Sequence, residues 1–181
     1  PLADKDFRVT CLRFATACGY SDRLRLDLVL NDFVASAIAD KKITILSDGT
    51  PWRPLIHVKD MARAMDWAIN RKTGDDFLII NTGSNQWNYQ VKELAAAVQN
   101  HFADVDVSIN TNAAPDKRSY KVSFDLFEQL APNHQPQISL DAAVEDLKNG
   151  LQNMQFSDAN FRQSKLIRLK MIQQLMDDAI I

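Results

Sequence analysis

Gly49-Thr50-Pro51-Trp52-Arg53-Pro54-Leu55-Ile56-His57-Val58-Lys59-Asp60 joins three structural instructions in one short run. Ser47-Asp48-Gly49 is turn chemistry, with the glycine permitting the chain to reverse. Arg53 then projects from an extended segment. Val58 opens a helix in which Val58, Met61, Ala62, Met65, Ala68 and Ile69 recur at three-and-four spacing, the mark of a buried face, closing near Asn70 and Gly74. His57 stands directly ahead of that helix, where packing or hydrogen bonding is a commoner role than acid–base chemistry.

Outward from this run, helical and strand patterns alternate. Upstream, residues 7–14 alternate and are rich in β-formers, so they read as a strand, and Gly19 with Tyr20-Ser21-Asp22 marks a loop. Leu28, Val29, Phe33, Val34, Ala37 and Ile38 predict a helix over 27–40, followed by a short strand over 43–46. Downstream come a strand over 77–81, a helix over 89–102 capped by Asn88, and a strand over 105–109. Residues 113–118 read as a polar loop, 120–124 as a brief strand, and 125–130, 139–151 and 158–181 as helices, the last one long. The order is α/β with a helical tail, and the strong strands are too few to complete a doubly wound sheet.

Bulk properties narrow the function. At 181 residues the chain has the length of one domain, and its 46% apolar and 24% charged residues are those of an ordinary globular protein. Twenty-one Lys and Arg against 23 Asp and Glu exclude the broad positive field that nucleic-acid binding uses, so any anion site must be local. Cys11 and Cys18 have neither zinc-ligand nor disulfide-framework spacing, which predicts a reducing cytoplasm and assigns no residue to a metal. Cys18 reads as a small buried residue. No apolar run approaches the length of a membrane span, and no signal sequence opens the chain. The strand at 7–14 starts almost at once, with no earlier element to pair with, so a preceding segment is expected.

Leu12-Arg13-Phe14-Ala15-Thr16-Ala17-Cys18-Gly19, running on to Arg23-Leu24-Arg25-Leu26-Asp27 and followed by the Gly49 to Asp60 run, resembles the extended short-chain dehydrogenase/reductases. The likeness is to the NAD-dependent sugar-nucleotide epimerases and dehydratases in particular. It continues through Asn81-Thr82-Gly83-Ser84, Asp116-Lys117-Arg118-Ser119-Tyr120 and the last helices, so essentially the whole chain is covered. The resemblance implies an incomplete Rossmann-type fold: the last strands of the sheet, a mixed α/β substrate-binding lobe and C-terminal helices. Residues 1–181 would then be a single C-terminal substrate-binding portion, its N-terminal dinucleotide-binding portion lying outside the sequence.

On that likeness the ligand is a nucleoside-diphosphate sugar, the cofactor of the complete enzyme is NAD, and the complete enzyme is a possible homodimer. Arg53 and Arg118 correspond to diphosphate-binding arginines, and guanidinium forks do match phosphate oxygens in pairs. The other reading of Arg53 is an exposed side chain stacked on Trp52; that of Arg118 is a solvated loop. Thr16, where relatives carry an asparagine, and Asn31 are the further substrate-binding candidates, either of which is alternatively a cap or a surface polar residue. Phe14 and Ala15, at the strand exit beside the nicotinamide, are the cofactor-binding candidates.

The family's catalytic tyrosine, four residues before a lysine, has no counterpart: Leu24 follows Tyr20 at that distance, Glu93 follows Tyr89 and Phe124 follows Tyr120. Gly19, Gly49, Gly74, Gly83 and Gly150 are too dispersed for a Gly-rich phosphate turn. The chain is thus expected to bind substrate without catalysing anything alone. The competing readings are a non-catalytic nucleotide-binding or protein-interaction module and a structural element whose tail helix packs on a partner.

Overall fold

The computed structural model describes residues 3–72, 74–113, 118–178 and 180. Strand β1 (Val9–Phe14) passes directly into β2 (Thr16–Cys18), and a loop leads to helix α1 (Val29–Ala39) and strand β3 (Lys42–Ile45). Strand β4 (Trp52–His57) runs into α2 (Val58–Asn70), and β5 (Phe77–Thr82) is followed by β6 (Asn88–Gln90), α3 (Val91–Gln99) and β7 (Asp106–Ile109). The rest is helical: α4 (Asp125–Leu130), α5 (Leu140–Asn153) and α6 (Arg168–Asp177).

The strands form small, mostly parallel pairings. β1 lies parallel to β5, from Val9 opposite Phe77 to Phe14 opposite Thr82. β4 takes β2 on one side in parallel and β6 on the other antiparallel, and β3 is parallel to β7. The mixed α/β class is as expected, with differences in strand content: β2 and β6 are short strands that the sequence reading did not include. The extended segment carrying Arg53 is a full strand with two partners, and residues 120–124 do not form one. Their backbone is held instead by asparagine side chains: Val122 N–H donates to Asn88 Oδ1 at 2.9 Å, and Phe124 N–H donates to Asn85 Oδ1 at 3.0 Å. Side-chain amides thereby replace the ladder that alternation alone suggested.

Three helix starts follow local capping chemistry, while α1, α4 and α6 begin without a side-chain cap. Asn88, expected as a cap, lies in β6; Gln90 caps α3 through a reciprocal capping box with Glu93, whose Oε2 accepts from Gln90 N–H at 2.6 Å. His57 caps α2 by accepting from Lys59 N–H, and Ser139 caps α5 by accepting from Ala142 N–H. The tail differs most from expectation. Phe161 is fully buried and meets Phe156 edge-on, so residues Phe161–Gln163 take a tight 3-10 turn and the helix over 158–181 shrinks to α6. No residue of α6 is buried.

Two larger cores organise the chain. One packs α1, α3 and α5 around β3 and Leu55, burying Leu26, Leu30, Ile43, Leu94 and Leu147 completely. The other covers one face of the β1–β5 pair with α2 and α4, where Trp67 meets Phe127 at 5.5 Å between ring centroids. The opposite face of that pair is open: Phe77 is 51% exposed, Ile79 47%, and Cys11 is exposed beside them. Alternation along β5 produces this division, since successive side chains point to opposite faces.

Candidate binding site

The turn before β4 requires glycine twice over. Gly49 sits at φ +79°, and a Cβ there would come within 2.9 Å of the Lys92 side chain. Its carbonyl also accepts from Lys92 N–H at 3.0 Å, which ties the turn to the start of α3 and sets the direction in which β4 leaves.

Trp52 and Arg53 at the head of β4 then hold a segment far away in sequence. Trp52 N–H donates to Ser119 Oγ at 3.0 Å, and its carbonyl accepts from Tyr120 N–H at 3.4 Å. Lys121 Nζ lies 3.5 Å from the centre of the Trp52 ring. Arg53 Nη1 donates to its neighbour's carbonyl at 2.8 Å and to the Arg118 carbonyl, 65 residues along the chain, at 2.6 Å. Arg118 is thereby fastened beside Arg53, although the adjoining Asp116 and Lys117 lie outside the described residues.

Both arginines line one open cavity of about 900 Å³, together with Thr16, Tyr120, Asp32 and Arg162. The start of α1 and the end of β3 supply the apolar part of the wall, including Val29, Phe33 and Leu46. A cavity of this size with a few polar groups on apolar walls is the usual form of a small-molecule site. The Arg162–Asp32 pair on the α1 side has no counterpart in the sequence reading, which placed residue 162 inside a continuous helix. Only the 3-10 turn anchored by Phe161 turns it toward α1.

Not every candidate shares the cavity. Asn31 is buried, and its amide closes the loop between β2 and α1: Oδ1 accepts from Gly19 N–H at 3.1 Å, and Nδ2 donates to the Arg25 carbonyl at 2.9 Å. Its neighbour Asp32, about 100° further round the helix, faces the cavity instead. Phe14 and Ala15 lie at the exit of β1, outside the cavity wall, with Ala15 N–H donating to the Thr82 carbonyl at 3.1 Å.

His57, at the end of β4, is buried and belongs to a cluster of ionisable groups with Lys59 and Asp146. His57 Nδ1 accepts from Lys59 N–H, so Nε2 carries the proton and donates to Asp146 Oδ2 at 3.3 Å. Burial pulls the His57 pKa below its ordinary value against the opposing attraction of Asp146. Burial acts to raise the Asp146 pKa, but hydrogen bonds from Lys59 Nζ and Tyr20 N–H, with the Lys59 and His57 charges, bring it below the usual carboxylate range. Cys18 pairs with His57 across the β2–β4 ladder, and burial, then the Asp60 and Asp146 charges, drive its thiol pKa up, leaving a neutral packing residue. Among the described residues no cluster of three His, Cys, Asp or Glu side chains is arranged for a metal. No described helix is long and apolar enough to cross a membrane.

Residues 2–83 match the model of the NAD dependent epimerase/dehydratase family. Among solved structures, the fold is similar to the UDP-glucuronic acid 4-epimerase from Bacillus cereus in complex with UDP-glucuronic acid and NAD, at 18% identity and TM-score 0.63, covering 79% of this chain and 45% of that one. It is also similar to the UDP-Glc/GlcNAc 4-epimerase of Campylobacter jejuni, at 20% identity and TM-score 0.65, covering 83% and 50%. An epimerase from the methanogen Methanothermobacter thermautotrophicus matches at 21% identity and TM-score 0.66, covering 84% and 45%. The chain therefore spans about half the length of the structures it matches.

Proposed function

We propose, from the match of residues 2–83 to the NAD dependent epimerase/dehydratase family, that the cavity holds a nucleoside-diphosphate sugar, with Arg53 and Arg118 on the diphosphate and the Thr16 hydroxyl on the same ligand. One observation carries this reading: two guanidinium side chains 65 residues apart line one cavity and are joined through the Arg118 carbonyl. A diphosphate needs fixed, permanently charged donors, and such a pair supplies them. Asn31 has a different part in this reading, holding the β2–α1 loop that borders the pocket.

The family is NAD-dependent, and the fit of that cofactor to these residues is partial. A dinucleotide pyrophosphate is cradled by a Gly-rich turn that opens a helix. The five glycines of this sequence form no such turn, and β1 exits through Phe14-Ala15 straight into β2. Phe14 and Ala15 would border the nicotinamide end at most. Accordingly we assign these residues to binding, and the hydride and proton chemistry to a dinucleotide-binding portion contributed by sequence outside them. The open apolar face of β1–β5 suits such a portion as its seat. Two unpaired thiols, Cys11 exposed and Cys18 buried, support a cytoplasmic setting.

Titration with UDP tests the proposal. Binding that weakens about tenfold or more in Arg53→Ala and in Arg118→Ala is expected, since each loses charge-assisted hydrogen bonds. Equal affinity in all three proteins would remove the clamp and the reading built on it.

A further inference from the structure

We infer that Arg162 is a third ligand-binding cation of this cavity, donating from the α1 wall to the nucleotide that Arg53 and Arg118 hold. This rests on the nucleotide-sugar reading and adds a contact to it.

The guanidinium of Arg162 is fixed on several sides. Phe161, one residue before it, is fully buried, and its ring lies 4.6 Å from the guanidinium carbon. Nε donates to Asp32 Oδ2 at 3.0 Å, and Nη2 donates to Asp32 Oδ1 at 2.6 Å and to Ser36 Oγ at 2.8 Å. Ser36 is itself buried and donates to the Asp32 carbonyl, so the acceptors are rigid too. These bonds occupy Nε and Nη2. Nη1 has no hydrogen-bond partner among the described residues, while the side chain, 46% exposed, lines the cavity. A planar fork already held in place loses little freedom when its remaining N–H groups meet a ligand oxygen.

Asp32 sharpens the case. It also lines the cavity, and an uncompensated carboxylate there would repel a diphosphate. Both its oxygens accept from Arg162. Arg162 thus supplies a donor and neutralises the wall at the same time. A mere clamp fastening the tail onto α1 predicts the same outcome whichever partner of the pair is removed; a ligand-binding cation predicts opposite ones.

The experiment is titration of the protein with UDP for Arg162→Met, Asp32→Asn and the double variant, with thermal melts confirming that each is folded. Methionine keeps an unbranched side chain over Phe161 but removes the donor and exposes the Asp32 charge. Expected are affinity lowered about tenfold or more in Arg162→Met, affinity raised about twofold in Asp32→Asn as the repelling charge goes, and an intermediate value in the double variant. Unchanged affinity in Arg162→Met, or equal weakening in Arg162→Met and Asp32→Asn, overturns the inference. If Arg162→Met behaves as the wild type while Arg53→Ala and Arg118→Ala lose binding, the nucleotide-sugar reading survives and only the third cation falls. If the unaltered protein binds no UDP, both fall.

Discussion

The hydrogen bond from Arg53 to the Arg118 carbonyl makes the two arginines a coupled unit, and a double-mutant cycle measures that coupling. On the proposed reading, Arg118→Ala removes one guanidinium from the ligand while leaving its backbone carbonyl on Arg53. Arg53→Ala removes the other guanidinium and also the 2.6 Å bond that holds the 118–121 segment against β4. Each loss of charge-assisted contacts is worth about 1.5–3 kcal/mol, roughly a ten- to hundredfold rise in Kd. Part of the Arg53→Ala loss is the displacement of Arg118, which cannot be lost twice. The double variant should therefore fall short of the sum by about 1 kcal/mol, within the range seen for residues in one network. Isothermal titration of UDP into the wild type, both single variants and the double variant gives the four free energies. Strict additivity would show that the strap does nothing for Arg118 and would refute this account of how the clamp is built.

Three other perturbations probe the fold that carries the site. The His57 pKa is depressed in the folded protein, so the unfolded chain binds more protons below about pH 6.5. Stability is then full above that pH and declines as pH falls from there toward the lowered folded value. Thermal melts from pH 7.5 to 5 should show this decline, and His57→Gln should flatten it; an unchanged slope in that variant assigns the dependence elsewhere. Gly150→Ala would ordinarily stabilise a helix interior by about 1 kcal/mol, but here the added methyl runs into the Tyr20 ring, so a lower Tm is expected and a higher one contradicts the packing. The open face of β5 should make the isolated chain self-associate in sedimentation or light scattering, and Ile79→Lys should reduce that with little change in Tm. Undiminished association would place the sticky surface elsewhere.

The α/β class and the existence of α2 were legible because each rests on local pattern, but the buried face of α2 was not. Ala64, Trp67 and Asp60 are buried, whereas Ala62, Met65 and Ile69 of the expected stripe are exposed, because the packing of α2 on β1 and α4 selects the face that carries Trp67. The Gly49 turn and the packed role of His57 were readable from local pattern too. Arg53 and Arg118, and their convergence, were expected only through likeness of motif; the structure places both on one cavity wall. Their meeting depends on Trp52, Ser119 and Lys121 fastening two distant segments together, and nothing in either segment encodes the partner.

Where tertiary contacts outweighed local preference, the reading failed. Residues 120–124 alternate like a strand, but Asn85 and Asn88 took their backbone groups; the tail has a helical stripe, but burying Phe161 cost the helix its first turns. Asn31 and Asp32 are adjacent in sequence, and only the orientation of α1 decided that the first serves the loop and the second the cavity. Sequence by itself determined where the helices ahead of the tail form and where the chain turns, because those choices are made over a few neighbouring residues. Which polar side chains share a cavity was decided by the packed structure alone, since that depends on how whole elements are rotated against one another.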